Sequence, residues 1–220
     1  MATMPATPLS GQPDAAPADW FGSAAGRALL DSESEALSAG LAEGRAGLPW
    51  LWIGPAAARD SAGPPGRGLR LSVGGAGLEG DVRCGRELPL ASEAIGAIVL
   101  QHVLTRVQAD ALLAECARVL VPGGRLAIFA LNPLAPYRWR WRGAGLQAAE
   151  PLVWRRRLRQ AGLSPEPLSL GVGPAWRPRP EPGLQQGAGL RAAYLLRADK
   201  RSLPLTPVRR RSRRLAAAPA

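Results

Sequence analysis

One histidine, two cysteines and one glycine corner are the groups in this 220-residue chain with chemistry to offer. His102 is the only side chain whose ordinary titration falls near neutral pH. Cys84 and Cys116 lie far apart, and with a single histidine they make no metal-ligand spacing. No metal site is expected, and the thiols are read as free in a reducing compartment. The corner is LWIGPAAARD, Leu51 to Asp60. An apolar strand runs there into a tight turn. Gly54 would let a ligand approach the backbone closely, because it has no Cβ. Pro55 and three alanines follow, where a phosphate-cradling loop would carry more glycine. No G-x-G-x-x-G follows the strand, and neither a Walker loop nor a nucleophile elbow is present.

Charge is the second signal. The net charge is +11, with 27 arginines and one lysine. Segment 138–159 holds seven arginines against Glu150, and segment 197–214 holds seven arginines and Lys200 against Asp199. The rest of the chain is slightly acidic. Both segments are candidate anion or nucleic-acid contacts. Trp139, Trp141 and Trp154 lie among the first set, placed either to stack on bases or to pack as a cover over the core. The alternative for both segments is a solvated basic surface, since the Ala, Gly, Pro and Arg content has the look of a genomic composition bias. The run Arg209–Arg214 reads as a solvated tail.

The elements around these residues follow from periodicity. Residues 1–18 are rich in Pro, Ala and small polar residues and read as a disordered leader without signal-peptide character. A helix is expected from Trp20 to Leu41, with Gly44 and Gly47 after it. PWLWIG (49–54) is a buried strand and GLRLSV (68–73) a second. GGAG (74–77) is a loop, and a weak third strand spans Leu78 to Cys84. Ala97 to Leu100 centre a fully apolar strand. Leu112, Leu113, Cys116, Val119 and Leu120 then share one helical face, with Asp110 at the helix start. VPGG (121–124) ends that helix in a turn, and RLAIFAL (125–131) is the next strand. Strand, helix, turn and strand make a right-handed βαβ unit. Uninterrupted apolar strands mean a sheet covered on both faces. The fold class is therefore α/β and doubly wound. Residues 132–150 are irregular, a helix runs from Pro151 to Ala161 with Gly162 after it, and RAAYLLRAD (191–199) is the last strand. The domain is set at 19–199, and 200–220 as a basic tail. No run of apolar residues is long enough to span a membrane, and a cytoplasmic location is expected.

The ordered set Leu88-Pro89-Leu90, Ile98-Val99-Leu100, His102-Val103-Leu104 and Arg118 to Gly124 resembles the middle of class I S-adenosylmethionine-dependent methyltransferases, and within them the type 11 family. The front, with Trp20-Phe21, Gly26-Arg27 and Leu29-Leu30, and the end, with Tyr194, Lys200-Arg201 and Thr206-Pro207, resemble a bacterial branch of it. The resemblance implies a Rossmann-like, mostly parallel seven-stranded sheet with helices on both faces, S-adenosylmethionine as cofactor and methyl transfer to an unidentified acceptor. It implies donor contacts at Gly54, Pro55, Ala56, Cys84, Leu88, Gln101 and His102, with no catalytic residue assigned.

The chain departs from that pattern. Ala56 stands where a glycine is usual. Strand 2 ends in Val73-Gly74-Gly75 without a carboxylate, Glu79 and Asp81 being the nearest. Cys84 takes the acidic position after strand 3, and Gly96 that before strand 4. Loss of a ribose acceptor costs about 1–3 kcal/mol if a buried donor goes unpaired. Two readings are therefore carried: a methyltransferase, or an inactive protein of that fold whose basic face binds RNA or a protein. His102 either sits beside the sulfonium or only shapes the turn after its strand. Asn132-Pro133 with Tyr137 resembles the Asn-Pro-Pro-Tyr motif of amino-methylating enzymes; the alternative is an ordinary strand-end turn.

Overall fold

The computed structural model describes residues 20–201 apart from 60–63, 65, 75, 76 and 86. The leader, Thr206-Pro207 and the run Arg209–Arg214 lie outside the described residues.

Helix α1 (Ala24–Ala42) begins at Ser23, whose hydroxyl accepts from the Gly26 N–H at 3.1 Å. Trp20 and Phe21 fold back over its first turn, and a Cβ at Gly26 would collide with Phe21 backbone. Ala28, Leu29, Leu37 and Leu41 face the core as the periodicity requires, but Ser32 and Glu33 are buried with them.

The strands are β1 (Trp50–Gly54), β2 (Gly68–Gly74), β3 (Gly77–Gly80), β4 (Ile95–Gln101), β5 (Leu120–Leu131), β6 (Leu163–Pro165), β7 (Leu170–Val172), β8 (Gln185–Gln186) and β9 (Ala193–Lys200). They form one nine-stranded sheet in the order β3-β2-β1-β4-β5-β9-β7-β8, with β6 on β9. The four central strands β2, β1, β4 and β5 are parallel. The expected count of seven becomes nine because β6 and β7 share one edge of β9, and two-residue β8 extends it.

Helices cover both faces, as the apolar strands require. Helix α2 (Ala109–Val119) and helix α3 (Pro151–Gln160) lie on one face, against Leu51, Ile53, Ile98, Leu100, Leu126 and Ile128. Helix α1 lies on the other, against Trp50, Trp52, Ala97, Val99, Ala127 and Phe129. The β4–α2–β5 unit is the one read from the sequence. Its Pro-Gly-Gly turn falls inside the start of β5: Ile95 pairs with Leu120 and Ala97 with Arg125, so the extra residues bulge out, with Gly123 at φ +78°.

Two differences alter the site. Among the described residues the connection from β1 to β2 holds a 3-10 turn, Ala56–Ala58, and helix α1 and the β1 indoles cover this face. Trp50 lies over Gly68 and Trp52 over Gly54, where a Cβ would run into each ring. Strand β3 is antiparallel to β2, with Gly74 paired to Gly77. Alternation alone does not tell a hairpin from a crossover.

Candidate active-site crevice at the β1/β4 boundary

In an open α/β sheet a ligand crevice opens at the carboxyl ends of the strands where the chain reverses its direction of winding. Here the chain steps from β1 to β2 on one side and returns to β4 on the other. The crevice therefore lies between Gly54, at the end of β1, and Gln101-His102, at the end of β4. Gly54 closes β1 with Pro55 after it, and Gln101 closes β4 with His102 after it; Gly54, Pro55 and Gln101 are buried, His102's side chain is almost wholly so, and Ala56 is exposed.

A buried hydrogen-bonded chain spans this boundary. Trp52 donates its indole N–H to Gln101 Oε1 at 3.1 Å. The Gln101 amide donates to Glu33 Oε2 at 2.7 Å. His102 Nε2 lies 3.0 Å from both Glu33 oxygens, within hydrogen-bond reach of each. Glu33 is fully buried and Trp52 is 3% exposed. Phe21 stacks on the His102 ring at 5.1 Å. His102 itself has φ +54°, a left-handed conformation uncommon for a side-chain-bearing residue. Its Nδ1 is buried without a hydrogen-bond partner in the described structure. The ring lines a cavity of about 80 Å³ with Phe129, Leu146, Gln147 and Trp154. Glu33 and Trp52 were invisible as functional residues in the sequence: one sits on a helix read as amphipathic, the other inside an apolar strand.

The residues fit an adenosyl ligand in part. Strand β2 has no carboxylate at its end, but the β3 hairpin brings one: the Glu79 side chain lies against Gly74. It is half-buried and paired with Arg83 only at 3.9 Å, so its oxygens can still accept from a diol. Asp81 instead accepts from the Arg70 N–H at 2.7 Å. The methionine end fits less well, because Trp52 already covers Gly54. Cys84 and Leu88 take no part in that hydrogen-bonded chain. Cys84 bridges back to Leu78 on the far side of β3, and burial raises its thiol pKa. Leu88 is buried and clamped to α2: Glu115 accepts from its N–H at 2.9 Å, and Arg118 donates to its carbonyl at 3.0 Å. The Arg118 guanidinium holds Glu115 below the usual carboxylate range.

Asn132 takes the strand-end role. Its amide donates to Gly189 and Arg191 carbonyls, its oxygen accepts from Leu134 N–H, and Tyr137 donates to the Ala25 carbonyl. The Asn132 amide is thus committed to the strand-end turn, and Tyr137 to helix α1. The tryptophans divide: Trp141 and Trp154 are buried, whereas Trp139 is 68% exposed, with Arg142 4.2 Å above its ring. Among the described residues no group of three or more His, Cys, Asp or Glu could hold a metal ion.

The type 11 family model, described as a methyltransferase domain, matches residues 69–128. No curated protein matches the chain. Among solved structures, a Thermotoga maritima S-adenosylmethionine-dependent methyltransferase, possibly a histamine N-methyltransferase, is 18% identical with TM-score 0.58, covering 83% of this chain and 94% of its own. The Haloferax volcanii complex of the Trm112 methyltransferase activator with a putative methyltransferase gives 16% identity, TM-score 0.54 and coverage of 86% and 99%. Geranyl diphosphate C-methyltransferase from Streptomyces coelicolor A3(2), solved with S-adenosyl-L-homocysteine, gives 17%, 0.51 and 76% of each chain. The chain thus has the class I methyltransferase fold, and its β2–β5 stretch matches the methyltransferase domain family.

Proposed function

We propose that this protein transfers a methyl group from S-adenosylmethionine to an acceptor whose identity is open. The observation that carries the reading is the winding reversal between β1 and β4 of a methyltransferase fold, beside a family-matched stretch. The backbone of Gly54, Pro55 and Ala56 would hold the donor at β1, Glu79 would accept from its ribose, and Gln101 and His102 would face it from β4. Bound there, the donor supplies an already reactive methyl group. The protein's part is then alignment, which needs no general base. Free thiols at Cys84 and Cys116 support a reducing, cytoplasmic setting. Among the described residues no helix is long and apolar enough to cross a membrane.

The test is incubation of the full chain with methyl-labelled S-adenosylmethionine and fractionated cell extract, read as label in the protein, RNA and small-molecule fractions. Label in one fraction, reduced by Glu79→Ala, supports transfer. No label in any fraction, together with no binding of S-adenosylhomocysteine by wild type or crevice variants, would overturn it.

A second reading is an inactive protein of this fold that binds single-stranded RNA through its basic face. Trp139 and Trp176, 68% and 65% exposed, favour it. Arg140 links their segments by donating to the Trp176 carbonyl at 3.4 Å.

A further inference from the structure

We infer that the Trp52 indole is a built-in occupant of the donor's methionine seat, and that any ligand entering the crevice must first displace it. The inference rests on the reading of the β1 and β4 ends as the donor seat. Three observations carry it. The six-membered ring of Trp52 lies against the open side of Gly54, the one residue of the corner that lets a ligand reach the backbone. The indole N–H crosses the β1/β4 boundary and donates to Gln101 Oε1 at 3.1 Å. Gln101 is held in turn by Glu33, which also holds His102.

Ligand and indole compete for the same groups. The methionine end of the donor carries an ammonium as well as a carboxylate. Gln101 Oε1 is an acceptor such an ammonium would use, and the indole N–H now takes it. The ring also fills the apolar space the thioether chain would need. With Trp52 3% exposed and its N–H satisfied, its release costs both apolar burial and a hydrogen bond. That cost is subtracted from the donor's affinity in wild type and vanishes when the ring is removed. Phenylalanine lacks the N–H and the outer ring atoms that lie against Gly54, so it should fall between tryptophan and alanine.

The test is calorimetric titration of the full chain with S-adenosylhomocysteine. Trp52→Ala is expected to bind at least ten-fold more tightly than wild type, and Trp52→Phe to fall between the two. Trp52→Leu, which refills part of the space, serves the same comparison if the alanine variant does not fold. Equal affinity of wild type and the small variants would overturn the inference while leaving the donor seat intact. Folded variants that bind no better than wild type, when wild type shows no binding at all, would overturn the donor-seat reading and the inference with it.

Discussion

Glu33, from the middle of helix α1, meets His102, just past the end of β4, with both carboxylate oxygens 3.0 Å from Nε2. The two side chains are 0% and 1% exposed. This pair fastens α1 to the rim of the crevice. Removing one member leaves the other buried without its hydrogen-bond partner, a loss of about 1–3 kcal/mol. Glu33→Ala also leaves the Gln101 amide without its acceptor. It is therefore expected to lose stability at that scale by urea denaturation, and Glu33→Gln, which keeps an acceptor in place, distinctly less. A Glu33→Ala loss below about 1 kcal/mol would show that the pair does not fasten the helix.

His102 adds a backbone effect to that pair. At φ +54° glycine is favoured by roughly 1 kcal/mol over a residue with a Cβ. His102→Gly gains this but loses the Glu33 contact and the Phe21 stack, whereas His102→Ala loses both and gains nothing. The ordering expected in denaturation midpoints is wild type, then His102→Gly, then His102→Ala. Glycine equal to alanine would show that the left-handed conformation stores no strain.

The β4–α2–β5 unit was legible because each signal was local. A fully apolar strand, an amphipathic helix and a Pro-Gly-Gly turn lie within about 37 residues, and Gly123 and Gly162 both take the positive φ that glycine was expected to supply. The crevice was not legible, because its members meet only through the fold. Glu33 and His102 are 69 positions apart, and no pattern in one sequence pairs them. Trp52 announces burial through its apolar neighbours but not that its N–H reaches the next strand. The hairpin of β2 with β3 has the same alternation a parallel pair would have, so the arrival of Glu79 at Gly74 was hidden too.

Thiol chemistry separates the two cysteines. Cys116 is wholly buried in α2, and burial, reinforced by the Glu115 charge, pushes its thiol up to about 12. Cys84 is partly exposed. The thiolate is the reactive form. One thiol per chain is expected to react with Ellman's reagent in the native protein and two in denaturant, with Cys84→Ser removing the native one. Two fast thiols in the folded chain would contradict the packing of α2.

Alkaline stability follows from the same groups. Burial raises Cys116 from 9.0 to about 12 and Tyr137 from 10.0 to about 12. A raised pKa means that the unfolded chain loses its proton first. Their stabilising contribution is thus complete below about pH 9 and is lost as pH climbs toward 12, at about 1.4 kcal/mol per pH unit per group. Urea midpoints should fall between pH 8.5 and 10.5, and Cys116→Val should flatten the early part of that fall. A midpoint constant over this range would mean that neither group is buried as described.

The basic face makes a prediction independent of the crevice. Trp139 with Arg142 above it and Trp176 beside Arg177 and Arg179 present two exposed rings among cations. Among the described residues Arg138, Arg140, Arg142, Arg177 and Arg179 form no ion pair with a carboxylate. Unpaired arginines attract any polyanion, and their contribution falls with salt at about 0.7 of a log unit per phosphate contact on single strands. The rings act differently: each base stacked on an aromatic side chain contributes about 1–3 kcal/mol, with little salt dependence. Replacing Trp139 and Trp176 by alanine should therefore weaken oligo(U) binding, measured by fluorescence anisotropy, by at least ten-fold without changing the salt slope. Arg138→Ala with Arg142→Ala should lower the slope itself. If the double tryptophan variant bound as wild type did, the arginines would be acting as a solvated cationic surface, and base stacking would have no part in this face.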